Sequence, residues 1–211
     1  MSTIRRAVRS SIVPLAVAAV AALSLSACQE ARSGTPPAAE MIDQAGIRTQ
    51  FDQPRQIDFP SLATSRPIKS LLNVPQKMSY GQFAWNTEGV PAGPLWILVD
   101  LEAQTMSVFR GQHEIATTVL LFGMDQKPTP VGRFVVRVKS KDYWSRTYDA
   151  PMPYSLMLTD DGVAIHGSEV EPGSATHGCL GVPIDFAQKL FSIARVGDEV
   201  MVTRSLRQAT S

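Results

Sequence analysis

Apolar residues in this chain fall in short runs, and most of the runs have the two-residue period of strands. Leu95 to Val99 is a continuous apolar run suited to a strand buried on both faces. Thr105 to Arg110 alternates after a tight connection at Leu101 to Gln104, so the two segments read as a hairpin. A turn at Gly111-Gln112 leads into a strand from Glu114 to Phe122. Arg133 to Lys139 places Phe134, Val136 and Val138 on one face and basic residues largely on the other, as expected of a partly solvated sheet. Strands are also predicted at Tyr154 to Thr159, Val163 to His166 and Glu199 to Thr203. The helical period is clear in one place. From Pro183, with Asp185 in the first turn, Ala187, Leu190, Phe191 and Ala194 share a face until Gly197 stops the helix. A second, short helix is expected at Met41 to Gln50. The pattern predicts a mainly β domain with one or two helices.

The chain has 211 residues with 15 prolines and 14 glycines, which fits many short strands and loops in one domain with appended segments. Between Glu30 and Ser70 the prolines recur without sustained apolar periodicity, so residues 28–70 are read as a flexible tether spanning about 35–40 Å root-mean-square. Residues 71–94 are read as an irregular lead-in packed on the domain, with Trp85 and Trp96 in the core. The domain proper covers 95–204 and a tail 205–211.

Residues 1–27 hold Arg5, Arg6 and Arg9, no acid, and an apolar run from Ile12 to Leu25 that is too short for a permanent membrane span. This is the layout of a secretory signal. Its end, Leu25-Ser26-Ala27-Cys28, resembles the lipobox of bacterial lipoproteins, which implies that Cys28 is lipidated and becomes the mature N-terminus. The expected place is the periplasm, anchored to an envelope membrane, the outer one favoured. Without the leader, 17 basic residues face 19 acidic ones and no basic face is concentrated anywhere, which excludes a nucleic-acid binder. A thioether lipid would consume the Cys28 sulfur, leaving Cys179 as the one free thiol of a two-cysteine chain. In an oxidising compartment such a thiol is either buried and inert or has chemistry to perform.

His166 ends a predicted strand and Cys179 follows thirteen residues later, after a loop long enough to return the thiol to the imidazole. A histidine that takes the thiol proton creates the reactive thiolate, and glycine at 178 lets backbone approach a reacting carbonyl and present amides to it. His166, His177 and Cys179 also have the types and number of three zinc ligands, but no fourth is evident. His113, beside a turn, reads as a solvated surface residue. Tyr143, Trp144 and Tyr148 occupy the long connection from Lys139 to Pro153, where they either cap a groove or pack the loop. Tyr154 either lines that groove or starts a strand in the core.

The segments His166-Gly167 and Thr176-His177-Gly178-Cys179 resemble the catalytic motif of the L,D-transpeptidases, the YkuD-like domain family, and Lys127-Pro128-Thr129-Pro130-Val131-Gly132-Arg133-Phe134 is similar to the family's proline-threonine-proline-glycine loop and strand. The resemblance covers about residues 94–204. It implies a mixed β-sheet sandwich with Cys179 as nucleophile and His166 as base, oriented by the Gly167 carbonyl. Backbone amides of His177, Gly178 and Cys179 would form the oxyanion site. Thr176, Tyr154 and Trp144 would contact substrate, and His177 would order the loop or touch substrate. Peptidoglycan stem peptides are the implied partners, with no metal or organic cofactor. The implied reaction cross-links tetrapeptide stems through a thioester. Water as acceptor would make the same site an L,D-carboxypeptidase, a protein acceptor an attachment enzyme, and loss of turnover a binding lipoprotein. One position departs from the family: Gly181 stands where many members carry Arg and some Asn, which bears on substrate preference.

Overall fold

The computed structural model describes the backbone of residues 40–42 and residues 48–74, 77–123 and 127–206. Residues 1–39, and with them the leader and Cys28, lie outside the described residues. So does the tail from 207. Among the described residues the strands form two sheets.

The larger sheet contains β1 (Glu40–Ile42), β2 (Arg48–Phe59), β3 (Thr64–Leu72), β4 (Gln82–Trp85), β5 (Leu95–Asp100), β6 (Thr105–Arg110), β7 (His113–Val119), β8 (Gly132–Val135) and β13 (Glu199–Thr203). Its main path runs β1-β4-β7-β6-β5-β13-β8, with β3 joined to β7 and β2 outside it. The smaller sheet orders β12 (Leu180–Pro183), β11 (Ala164–Ser168), β10 (Ala150–Met157) and β9 (Val138–Ser145). Strand alternation explains why the run at 95–99 is apolar throughout. Ile97 and Val99 enter the core shared with the smaller sheet and α1 (Ile184–Ile193), whereas Trp96 and Leu98 enter a second core on the other face.

That second core corrects the tether. Residues 48–59 and 64–72 form a long hairpin whose Phe59 and Ile68 pack with Trp96, Leu98, Phe109 and Met201. Pro54 falls in the register shift between Gln50 and Arg55, where a missing N–H costs the ladder nothing. Arg48 binds the Glu114 carbonyl and donates to the Asn86 carbonyl at 2.8 Å, and the Leu72 N–H reaches the buried Glu114 carboxylate at 2.8 Å. Burial holds that carboxyl above its usual range. Both ends of the helix expected at 41–50 are strand instead, at 40–42 and 48–50, and 43–47 lie outside the described residues. The lead-in contributes β4, and Trp85 is half-buried with its ring edge-on to Phe186 at 5.6 Å.

The single strand expected at 133–139 is two strands in different sheets. The chain crosses over at Val136, which is buried and donates to the Asp198 carbonyl at 2.9 Å, and Arg137 then donates to Met157 at 2.8 Å. The connection from 139 to 153 is likewise a hairpin of β9 and β10, paired from Val138↔Met157 to Ser145↔Ala150. The helix is as expected in place and face, with Ala187 and Leu190 buried and Phe186 added to them. Lys139 donates to the carbonyls of Phe191 (2.7 Å) and Ala194 (2.5 Å), covering the negative end of α1 with a cation.

Candidate active site

β11 and β12 lie side by side and parallel, with Ile165 opposite Leu180 and His166 opposite Gly181. Ile165 and Leu180 both face the shared core. Their neighbours therefore face the other way: Ala164 and His166 on β11 and Gly181 on β12, with Cys179 immediately before β12. Cys179 packs with Ala164, and His166 lies two residues further along β11 on the same face as Ala164.

His166 is 9% exposed. Its Nδ1 lies 2.9 Å from the Gly167 carbonyl, and a carbonyl only accepts, so Nδ1 carries the hydrogen and Nε2 keeps its lone pair. Burial lowers the pKa of this imidazole, partly offset by the Gly167 bond. Cys179 is 5% exposed and packs with Met152 and Ala164, against which Tyr143 also rests. Its Sγ donates to the Gly162 carbonyl at 3.4 Å. Burial pushes the thiol pKa up, while the Ala164 backbone and the charge of Lys127 pull it partly back. The resting pair is thus a neutral thiol and a neutral imidazole.

The turn before Cys179 is held from several sides. Thr176 donates its N–H to Phe122 at 3.1 Å and its hydroxyl to the Cys179 carbonyl at 2.5 Å. Gly178 has φ +103°, a conformation that side chains resist. Thr129 links two loops: its hydroxyl accepts from the Gly123 N–H at 2.9 Å and donates to the Gly178 carbonyl at 3.0 Å. A Cβ on Gly123 would stand 2.3 Å from the Gly178 nitrogen, so only glycine permits this approach. Among the described residues no backbone carbonyl outside the strand ladders accepts from the N–H groups of His177, Gly178 or Cys179.

His177 is exposed and stacks on Tyr148, ring centroids 4.8 Å apart and 18° from parallel. Among the described residues no group of three His, Cys, Asp or Glu side chains is arranged to hold a metal ion. Trp144 is 53% exposed, with its indole N–H 3.2 Å from Asp149. Tyr154, at φ +57°, packs edge-on to Phe191 of α1 at 5.9 Å, the core alternative of its two readings. An open cleft of about 430 Å³ borders the site, lined by Leu121, Pro151, Pro153, Ser168, Glu169 and Thr176 among others. A Cβ on Gly181 would meet Ser168 Cβ at 3.1 Å and Leu121 Cβ at 3.5 Å, so a side chain there would press on two residues that line the cleft. The sequence did not single out Gly123, Lys127, Thr129 or Met152 for any role. The signal for Thr129 was its place in Pro128-Thr129-Pro130.

The chain is similar to known proteins over this region. No curated protein matches the chain significantly. The crystal structure of an L,D-transpeptidase from Stackebrandtia nassauensis is similar at 25% identity and TM-score 0.50, over 57% of this chain and 61% of that one. L,D-transpeptidase 1 of Mycobacterium tuberculosis matches at 26% identity and TM-score 0.45, over 52% and 61%. A cysteine-to-serine mutant of the Enterococcus faecium L,D-transpeptidase matches at 27% and 0.48, over 53% and 50%. The matched region spans about three fifths or less of these proteins' own lengths. The model of the L,D-transpeptidase catalytic domain (YkuD) matches residues 94–202, more than half of the chain, and the chain belongs to that family.

Proposed function

We propose that the protein is a peptidoglycan L,D-transpeptidase that works through a Cys179 thioester. The observation that carries this reading is the Nδ1–Gly167 bond, which leaves Nε2 of a neutral His166 as proton acceptor on the face of β11 where Ala164 packs with Cys179. His166 Nε2 takes the thiol proton as Sγ attacks the carbonyl carbon of the third stem residue. The oxyanion that forms is met by the N–H groups of His177, Gly178 and Cys179. When the C–N bond breaks, the proton on Nε2 passes to the amine of the departing D-alanine. A side-chain amine of a neighbouring stem then attacks the thioester, gives its proton to His166, and leaves a three-to-three cross-link and a free thiol. No step calls for a metal or organic cofactor.

The protein is exported and held by a lipid on Cys28, in the periplasm and at the outer membrane. The run from Ile12 to Cys28 supports this. Cys28→Ser should free the protein from membranes and remove the mass of the lipid. Membrane retention without a lipid mass would overturn the anchor.

The reaction is tested by mass analysis of tetrapeptide muropeptides incubated with the purified protein. Loss of D-alanine with appearance of cross-linked dimers supports the transpeptidase, and loss without dimers the carboxypeptidase. Stems left unchanged by wild type, as by Cys179→Ala, contradict both.

A further inference from the structure

Lys127 comes from the loop before β8 and Tyr148 from the β9–β10 turn, and they meet over the nucleophile's turn. The Lys127 ammonium donates to the Tyr148 hydroxyl at 2.9 Å and stands 5.5 Å from that ring's centroid. Tyr148 is itself braced: its ring stacks on His177, and its hydroxyl donates to the His177 carbonyl at 3.4 Å. The Lys127 stem runs along Gly178, where a Cβ would lie 3.6 Å from Cγ and 3.8 Å from Cδ. An ammonium has three donors, and the phenol is its one hydrogen-bonding partner among the described residues. Lys127 also forms no ion pair among them. A cation with donors to spare thus stands over the nucleophile's turn, where its charge is felt by both Asp161 and Cys179.

We propose that Lys127, held by Tyr148, is the binding site for the C-terminal carboxylate of the donor peptide. This rests on the transpeptidase reading above. In a stem attacked at its third residue, the carboxylate carbon of the departing residue is three bonds from the attacked carbon, hence within about 4.3 Å of it. A cation adjoining the oxyanion turn is therefore within reach of that carboxylate and of no charge further along a longer stem. The site makes the enzyme select donors in which the residue after the attacked carbonyl is the last one.

Two measurements test it. The first needs no stem: Cys179 is alkylated with anionic iodoacetate and with neutral iodoacetamide, in wild type, Lys127→Arg and Lys127→Met. The ratio of the two rates cancels any common change in thiol reactivity, and the iodoacetamide rate reports that the fold and the thiol survive. The iodoacetate-to-iodoacetamide ratio should fall about tenfold in Lys127→Met and stay close to wild type in Lys127→Arg. The second compares tetrapeptide donors ending in a carboxylate or an amide. Wild type should favour the acid about tenfold or more in kcat/KM, mainly through KM, and Lys127→Met should treat both alike. An unchanged alkylation ratio in Lys127→Met, or an acid preference that survives it, overturns the site. If wild type turns over neither donor, the transpeptidase reading fails, while the alkylation ratio still decides whether Lys127 binds a carboxylate beside Cys179.

Discussion

The hydroxyl of Thr129 donates to the carbonyl of Gly178 at 3.0 Å, across 49 residues of sequence, while accepting the amide of Gly123 at 2.9 Å. This one side chain therefore fixes the peptide that precedes the nucleophile. Thr129→Val keeps the shape but removes both bonds and leaves the buried Gly123 amide without a partner, at a cost of about 1–3 kcal/mol in stability. Because the lost bond positions the oxyanion donors, kcat should fall more than KM rises, and Thr129→Ser should restore most of it. Equal kinetics for Val and Thr at 129 would show that the turn keeps its form without the bond.

Burial acts on His166 and Cys179 in opposite senses of pKa and the same sense of charge: both are held neutral. The imidazole titrates below its ordinary 6.5 and the thiol above its ordinary 9.0. Iodoacetamide should therefore modify Cys179 slowly at neutral pH, with a rate that climbs into the alkaline range. Turnover of a donor, which needs neutral His166, should hold as pH drops to 6.5 and fail only below it. The linkage has matching signs. The unfolded chain protonates its histidine first, so stability drains away as pH falls from 6.5 through the folded pKa. It ionises its thiol first, so stability is lost again as pH rises past 9.0. An alkylation rate already at its plateau at neutral pH would reveal a preformed thiolate–imidazolium pair.

The hairpin of β2 and β3 lies outside the residues matched by the family, yet it closes the outer face of β5, β6 and β13. Ile68 is 2% exposed in that layer. Ile68→Ala should cost about 2–5 kcal/mol in denaturant unfolding. A change below about 0.5 kcal/mol would return the hairpin to the status of a tether.

The parts legible in the sequence are those whose partners impose a period. β5, β6, β11, β13 and α1 bury a face against the common core, and alternation or helical spacing records it. In β2 only Phe59 is fully buried and most other positions are exposed, so its strand carries no apolar signal and Pro54 argues against one. Pro151 and Pro153 hid the first half of β10 in the same way, while its second half was legible as the strand from Tyr154. At the site, His166 and Cys179 were legible because the chemistry demands those residue types near that motif. Thr129, Gly123 and Lys127 were not, because their roles come from contacts between loops far apart in sequence. Trp144 was a groove candidate from its position in a segment read as a loop, and Tyr154 from its place at the start of a strand after Pro153. Trp144 pairs with Pro151 in that hairpin, whereas the register skips Tyr154, which takes φ +57°.

The central claim is that Cys179 carries the acyl group. Intact-protein mass spectrometry of the wild-type protein quenched during incubation with a tetrapeptide donor tests it most directly, with His166→Ala and Cys179→Ala beside it. The account predicts an adduct on wild type equal to the donor less D-alanine, mapped by peptide digestion to Cys179 and released by hydroxylamine, much slower to form in His166→Ala and absent in Cys179→Ala. An adduct mapped to another residue, or D-alanine release that survives in Cys179→Ala, would contradict it.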